Sequence, residues 1–348
     1  MTKPEYPAKP RPGDRVAVLS PAAGLPGLFP QPFETGLRRL VEDFGLVPVE
    51  YPTTRRMGAS PKERAADIHA AFADPTIRAV FTSIGGDDQI TVLRHLDREL
   101  IRANPKPFFG WSDNTNFLAH LWNSGIVGFY GGMLMADFGR PGAMHPLTRG
   151  SLRAAVFGSG EEYELTSPGE TRYVIGRWED PATFESEPAM EQAGGWIWHN
   201  ADRVVEGVSW GGCLEIIGGL MMADREILPA REYEGCVLFL ETSEEMPSGE
   251  EVYRTLRNMG ERGLLARFPA LLMGRPQSWF FEAPLTAAER ERYAAGQHRA
   301  VLRALAEYAP DTLAVLDVDL GHTDPRVVMP YGGRVRVDGL TQRIFVTY

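Results

Sequence analysis

The chain has 348 residues, 43% of them hydrophobic and 24% charged, and its 36 Lys and Arg against 46 Asp and Glu leave a net charge of −10. That length points to two domains with ample core material. The acidic balance, with no basic run, excludes a nucleic-acid polymer or an anionic membrane as the main partner. Cys213 and Cys236 offer neither a disulfide framework nor a spaced zinc set, and both read as core thiols. Met1 to Asp14 lacks the apolar stretch of a signal peptide, and no run reaches the ~18 residues of a membrane span, so a cytoplasmic protein is expected.

Residues 15–20 (Arg-Val-Ala-Val-Leu-Ser) read as a buried strand and 21–27 as a Pro- and Gly-rich loop. A helix follows, with Phe33, Leu37, Leu40, Val41 and Phe44 at helical spacing and Gly45 as its stop before a short strand at 46–49. Residues 61–72 repeat the helical pattern. A second core strand, 79–84, ends in Gly85-Gly86-Asp87-Asp88, and the spacing predicts one helix over 89–102. Residues 107–111 then form a strand that delivers Ser112. Strands alternating with helices at short intervals imply a doubly wound parallel sheet, in which ligands collect at the carboxyl ends of the strands. Both Gly85-Gly86 and Ser112 fall there.

A strand near 126–130 and a helix near 147–157 close this half. Residues 158–200 are rich in Gly, Pro and Glu and carry Trp178, Trp196 and Trp198 without clear period, as a functional loop or a linker would. The second half resumes with a strand at 204–210, Gly211-Gly212, and an apolar segment at 213–222. A strand at 235–240 ends at Glu241, and helices at 250–265 and 286–308 alternate with strands at 270–273 and 312–318. A hairpin about Asp338-Gly339 ends the chain.

The stretch Gly110-Trp111-Ser112-Asp113 has the form of a nucleophile turn, in which a strand, a sharp bend and a helix start expose a hydroxyl beside free backbone N–H groups. Asn114 stands where the second glycine of a G-x-S-x-G elbow would be, and Asn tolerates left-handed backbone. Ser112 and Asp113 also suit a plain helix cap. His322 follows a core strand and a glycine, on the kind of loop where catalytic groups sit. Glu241, at the exit of an apolar strand, needs a partner for its charge. A Ser112–His322–Glu241 triad is the arrangement these three allow, with the N–H groups of Gly86 and Asp113 as oxyanion donors. The rival is a divalent metal held by Asp317, Asp319, His322 and Asp324. Against it, the first two aspartates lie on one face of a strand, the zincin helix signature is absent, and salt-bridged or solvated aspartates are the ordinary case. Gly85-Gly86 fits no nucleotide-binding fingerprint.

The sequence resembles the LD-carboxypeptidase family of serine peptidases, and in particular its microcin C immunity branch, through four motifs in order. They are Gly85-Gly86-Asp87, Gly110 to Asp113, the apolar strand ending in Glu241, and Gly321-His322 followed by Pro330-Tyr331-Gly332. The resemblance implies a flavodoxin-like N-terminal domain over 1–160, a linker or substrate loop over 161–203, and a smaller, strand-rich α/β C-terminal domain over 204–348. It also implies a Ser112-Glu241-His322 triad in the groove between the domains, no metal or organic cofactor, and a homodimer. His322 to Pro325 and Trp196 to Asn200 look like the immunity branch, which implies that Trp196, or Trp178 as second candidate, stacks on the base of an aminoacyl-nucleotide. The residues after Glu241, Thr242-Ser243-Glu244-Glu245, lean the same way. The alternatives are a carboxypeptidase that releases the terminal D-alanine of a murein tetrapeptide, and a non-catalytic protein that binds a small molecule on the same scaffold.

Overall fold

The computed structural model describes residues 4–173 and 176–348. Two mixed sheets carry the α/β architecture. The first has six strands in the order Met329–Tyr331, Gly128–Tyr130, Phe108–Gly110, Ile77–Thr82, Arg15–Leu19 and Val47–Glu50. The last five run parallel, and Met329–Tyr331 pairs antiparallel at one edge. Strands covered on both faces should be apolar throughout, and Val16 to Leu19, Ala79 to Phe81 and Phe108 to Phe109 are all buried. Phe81, Phe109 and Phe129 stack across three adjacent strands with centroids 4.6 and 4.8 Å apart, which fixes the position of the strand that leads to Ser112.

The helices start where the sequence provides caps. Pro61–Ala73, Gly249–Glu261 and Ala287–Tyr308 each begin with a capping box, Ser60 with Glu63, Ser248 with Glu251, and Thr286 with Glu289. The single helix expected over 89–102 does not form. Two short 3-10 turns, Gln89–Thr91 and Leu93–His95, precede a helix confined to Arg98–Ala103, which Asp97 caps through the Leu100 N–H. The reason is tertiary. Gln89 donates its backbone N–H to the Asp113 carboxylate and its amide to Asn114, and accepts from the Phe117 N–H, so the segment's start is tied to the turn bearing Ser112.

The second sheet has eight strands, and its centre, Val204–Cys213, Val237–Glu241, Ala270–Gly274 and Leu313–Val318, is parallel. The terminal hairpin, Arg334–Asp338 with Arg343–Thr347, extends it on one side. The stretch 161–203 contributes to both edges, Glu162–Leu165 beyond the hairpin and Ile197–His199 beside Leu313–Val318. Residues from the C-terminal third thus complete the first sheet, and the middle stretch frames the second. Among the described residues no helix is long and apolar enough to cross a membrane.

Candidate active site

The strand Phe108–Gly110 ends in a bend that needs its glycine: a Cβ on Gly110 would lie 2.8 Å from the Thr82 hydroxyl and 3.0 Å from Asn114. Ser112 itself takes the left-handed conformation, with φ +60°, which side chains other than Gly, Asn and Asp seldom adopt. Strain of this kind, about 1–3 kcal/mol, persists where the surroundings over-determine the backbone. Asn114, by contrast, is right-handed at φ −64°. Its value lies in its side chain, which donates to the Ile84 and Trp111 carbonyls and accepts from Gln89, clamping the turn. The helix Thr115–Asn123 follows directly.

Three side chains from two sheets meet at this turn. His322 Nε2 lies 3.1 Å from Ser112 Oγ, and His322 Nδ1 lies 2.6 Å from Glu241 Oε2. Glu241 is completely buried at the end of its strand. Its other oxygen accepts from the Tyr130 hydroxyl at 2.5 Å, and that hydroxyl in turn accepts the Ser112 N–H at 3.1 Å. Burial and the Glu241 charge push the Tyr130 phenol far above its ordinary pKa, so it stays neutral and can serve both neighbours. Glycines make room for the carboxylate, since a Cβ on Gly274 would come within 2.6 Å of the Glu241 Cβ. The His322 ring rests edge-on against Trp111, centroids 4.6 Å apart, while Asp137 holds the Trp111 indole N–H at 3.0 Å and Arg326 at 2.7 Å.

A second carboxylate faces His322, one to which the motif reading gave no role at the site. Glu244 Oε2 lies 3.0 Å from His322 Nε2, the nitrogen that also faces Ser112. Burial alone lowers the pKa of His322, but the charges of Glu241 and Glu244 more than reverse this and lift it to about 10. Glu244 responds in the opposite sense: burial raises its pKa, and the His322 charge outweighs that and holds it at about 2. The Asp113 carboxyl, facing away toward Gln89 and Asn116, is lifted by burial to about 6 against the pull of the Gln89 N–H.

A cavity of about 490 Å³ opens over the three residues, lined on one side by Gly85, Gly86 and Ser112 and on the other by Trp178, Phe280 and Phe281. The N–H groups of Gly86 and Asp113 have no acceptor among the described residues. Gly85 is as close as any side chain would permit: a Cβ there would lie 3.2 Å from Ser112 Oγ and 3.6 Å from the Asp113 nitrogen. The two tryptophans divide in the reverse of the expected order. Trp178 lines the cavity and packs edge-on against Phe29 at 5.8 Å, whereas Trp196 is absent from the lining and donates its indole N–H to Asp319 at 2.9 Å. The backbone of Arg172 pairs with that of Asp324, two residues past His322, and so holds the middle stretch over the site.

The aspartates considered for a metal all face arginine. Asp317 and Asp319 share Arg275, Asp317 also meets His298, and Asp324 pairs with Arg140. Among the described residues no group of His, Cys, Asp and Glu is arranged to hold a metal ion. Cys213 and Cys236 are buried free thiols. The motif reading missed Tyr130 and Glu244. Tyr130 carried a usable signal, as the last residue of a strand adjoining that of Ser112; Glu244 carried only its place three residues beyond Glu241.

Residues 16–131 match the LD-carboxypeptidase N-terminal domain and residues 206–337 the LD-carboxypeptidase C-terminal domain. A probable murein peptide carboxypeptidase of Bacillus subtilis (strain 168) is 28% identical over 96% of this chain and 94% of its own length. The microcin C7 self-immunity protein MccF of Escherichia coli is 26% identical over 82% of this chain and 78% of its own. In fold, the crystal structure of an MccF-like protein from Streptococcus pneumoniae in complex with AMP is similar at a TM-score of 0.83 and 24% identity, covering 96% of this chain and 99% of that one.

Proposed function

Because the chain belongs to the LD-carboxypeptidase family of serine peptidases, we propose that it hydrolyses the amide bond of an aminoacyl- or peptidyl-nucleotide through Ser112, His322 and Glu241. Ser112 Oγ attacks the amide carbonyl as His322 Nε2 takes its proton, and the N–H groups of Gly86 and Asp113 receive the oxyanion. His322 then returns the proton to the departing amine, and water releases the acyl group from Ser112 by the same steps in reverse order of roles. Glu241 holds the Nδ1 tautomer that leaves Nε2 free to act.

The observation that carries the nucleotide is the aromatic wall. Phe29 and Trp178 pack together on the cavity surface with Phe280 and Phe281 beside them, and flat aromatic faces bind a base by stacking. The 26% identity to the microcin C7 self-immunity protein MccF of E. coli favours the immunity branch, for which the sequence resemblance implies such a substrate. The second reading is removal of the terminal D-alanine from a murein tetrapeptide, favoured by the B. subtilis relative that aligns over 94% of its own length.

Hydrolysis of an aminoacyl sulfamoyl adenosine and of a murein tetrapeptide, compared in the same preparation, decides between them. The nucleotide reading expects a higher kcat/KM on the first and a selective loss on that substrate in Trp178→Ala. A preference for the tetrapeptide, with equal loss on both, hands the assignment to the second reading.

A further inference from the structure

One nitrogen, His322 Nε2, faces two oxygens, Ser112 Oγ at 3.1 Å and Glu244 Oε2 at 3.0 Å. A carboxylate only accepts, so Glu244 beside Nε2 favours the imidazolium, with a proton on that nitrogen. With that proton in place, the imidazole cannot take one from Ser112. A free enzyme in that state holds its base unfit for attack, and Glu244 is, after Glu241, the second carboxylate that favours the state.

Glu244 is also free to leave. It projects from a turn whose base is pinned by Ser243, which gives its N–H and hydroxyl to Glu215 at 2.9 and 2.7 Å, while the Glu244 side chain is 46% exposed. Side-chain rotation alone would part it from His322. The charge around it indicates what would draw it off. Asp87, Glu179, Glu245 and Glu282 line the same cavity with no ion-pair partner among the described residues, whereas the lining Arg326 is already paired with Asp137 and Arg177 sits over the Phe281 ring. Gln277, almost wholly buried in the cavity wall, adds an acceptor. Both hydrogens of its amide go to the carbonyls of Tyr173 and Trp279, and its oxygen has no donor among the described residues. Surplus acceptors and uncompensated carboxylates favour a ligand bearing N–H donors and positive charge.

Resting on the Ser112–His322–Glu241 reading above, we propose that Glu244 is a specificity-determining residue that couples the base to the substrate's charge. It accepts from the protonated Nε2 in the free enzyme and transfers its pairing to an ammonium group of the bound substrate, whereupon His322 gives its Nε2 proton to water and is free to take the Ser112 proton. The preferred substrates are amides that carry a free amino group near the scissile bond. The groups that set the charge on His322 are then Glu241 from the strand Val237–Glu241, Glu244 from the following turn, and Tyr130 and Glu215 acting on Glu241, with Arg326 beyond Trp111 and Asp324 held by Arg140.

The test labels Ser112 with a neutral alkyl fluorophosphonate, which offers Glu244 no cation. Labelling rates are followed from pH 5 to pH 10 in the native enzyme, Glu244→Gln and Ser112→Ala. Below its midpoint the rate should fall about tenfold per pH unit as Nε2 is protonated. In Glu244→Gln the midpoint should move down by about one unit or more, so that labelling at pH 7 rises about tenfold. Methylammonium chloride, against equal sodium chloride, should speed labelling of the native enzyme at pH 7 and leave Glu244→Gln unchanged. Equal midpoints in the two proteins, or a native enzyme indifferent to methylammonium, overturn the proposal while leaving the triad intact. Labelling that persists in Ser112→Ala removes the triad and this proposal with it.

Discussion

The floor of the cavity and its mouth are built on opposite terms. On the floor, Ser112, His322, Glu241 and Tyr130 are joined by hydrogen bonds of 2.5 to 3.1 Å, and Glu241 and Tyr130 have almost no exposure. At the mouth, Asp87, Glu179, Glu244 and Glu245 are exposed, Trp178 is half-buried, and the aromatic residues meet through ring edges with few polar ties. A buried network is costly to leave half satisfied, so a floor of this kind admits one arrangement. A mouth of solvated charges and ring contacts can change its residues at little cost to the fold. On the function proposed above, the floor would fix the chemistry and the mouth the choice of substrate.

Substitutions separate the two regions by the size and kind of their effect. On the floor, Ser112→Ala and Glu241→Gln should each lower kcat by about 10⁴-fold or more, as loss of a nucleophile or of the tautomer-setting acid does in other triads. Steady-state rates within about tenfold of the native enzyme would deny Ser112 its role. Tyr130→Phe takes a donor from Glu241 and an acceptor from the Ser112 N–H in one step. It should lower stability by about 1–3 kcal/mol, read from urea unfolding, because the Glu241 oxygen it leaves is wholly buried and loses its donor.

At the mouth, Trp178→Ala should raise KM for an aminoacyl sulfamoyl adenosine about tenfold with kcat little changed, the usual scale for one stacked base. Trp196→Ala should instead show itself in thermal unfolding, since Trp196 serves Asp319 and not the cavity. A KM effect larger in Trp196→Ala than in Trp178→Ala would reverse their assignments.

The smallest effect lies where floor and mouth touch. The folded-state pKa of His322, about 10, stands above the ordinary 6.5. Such a group adds stability that is complete below about pH 6.5 and is lost as pH rises through 10. Thermal unfolding of the native protein should thus fall over that window, and Glu244→Gln, with one of the two facing carboxylates gone, should show a shallower decline. An unchanged slope would mean that Glu244 contributes nothing to the charge on His322.

Much of the floor was legible from residue order alone. Apolar runs that end in Gly110-Trp111-Ser112, in Glu241 and near His322 announce strand exits, and strand exits of a parallel sheet gather on one edge whatever the details of packing. Burial of a strand is a local property, written in its own residues, which is why the core strands, the capped helices and the terminal hairpin could be read one segment at a time. The segment 89–102 could not, because its helical spacing is overridden by hydrogen bonds from Gln89 to Asp113, Asn114 and Phe117. Asn114 kept its place in the motif for its amide and not for its backbone, and the left-handed residue proved to be Ser112. The sequence by itself determined which residues stand at the carboxyl edges of two sheets. Only the tertiary structure decided that Tyr130, which holds the Ser112 N–H, reaches Glu241 across 111 residues of chain, that Trp178 and not Trp196 faces the cavity, and that Glu244 shares a His322 nitrogen with Ser112. The physical reason is one of range. Periodicity places a side chain on a face, but which hydrogen-bond partner waits there depends on segments far away in sequence, and no local pattern carries that information.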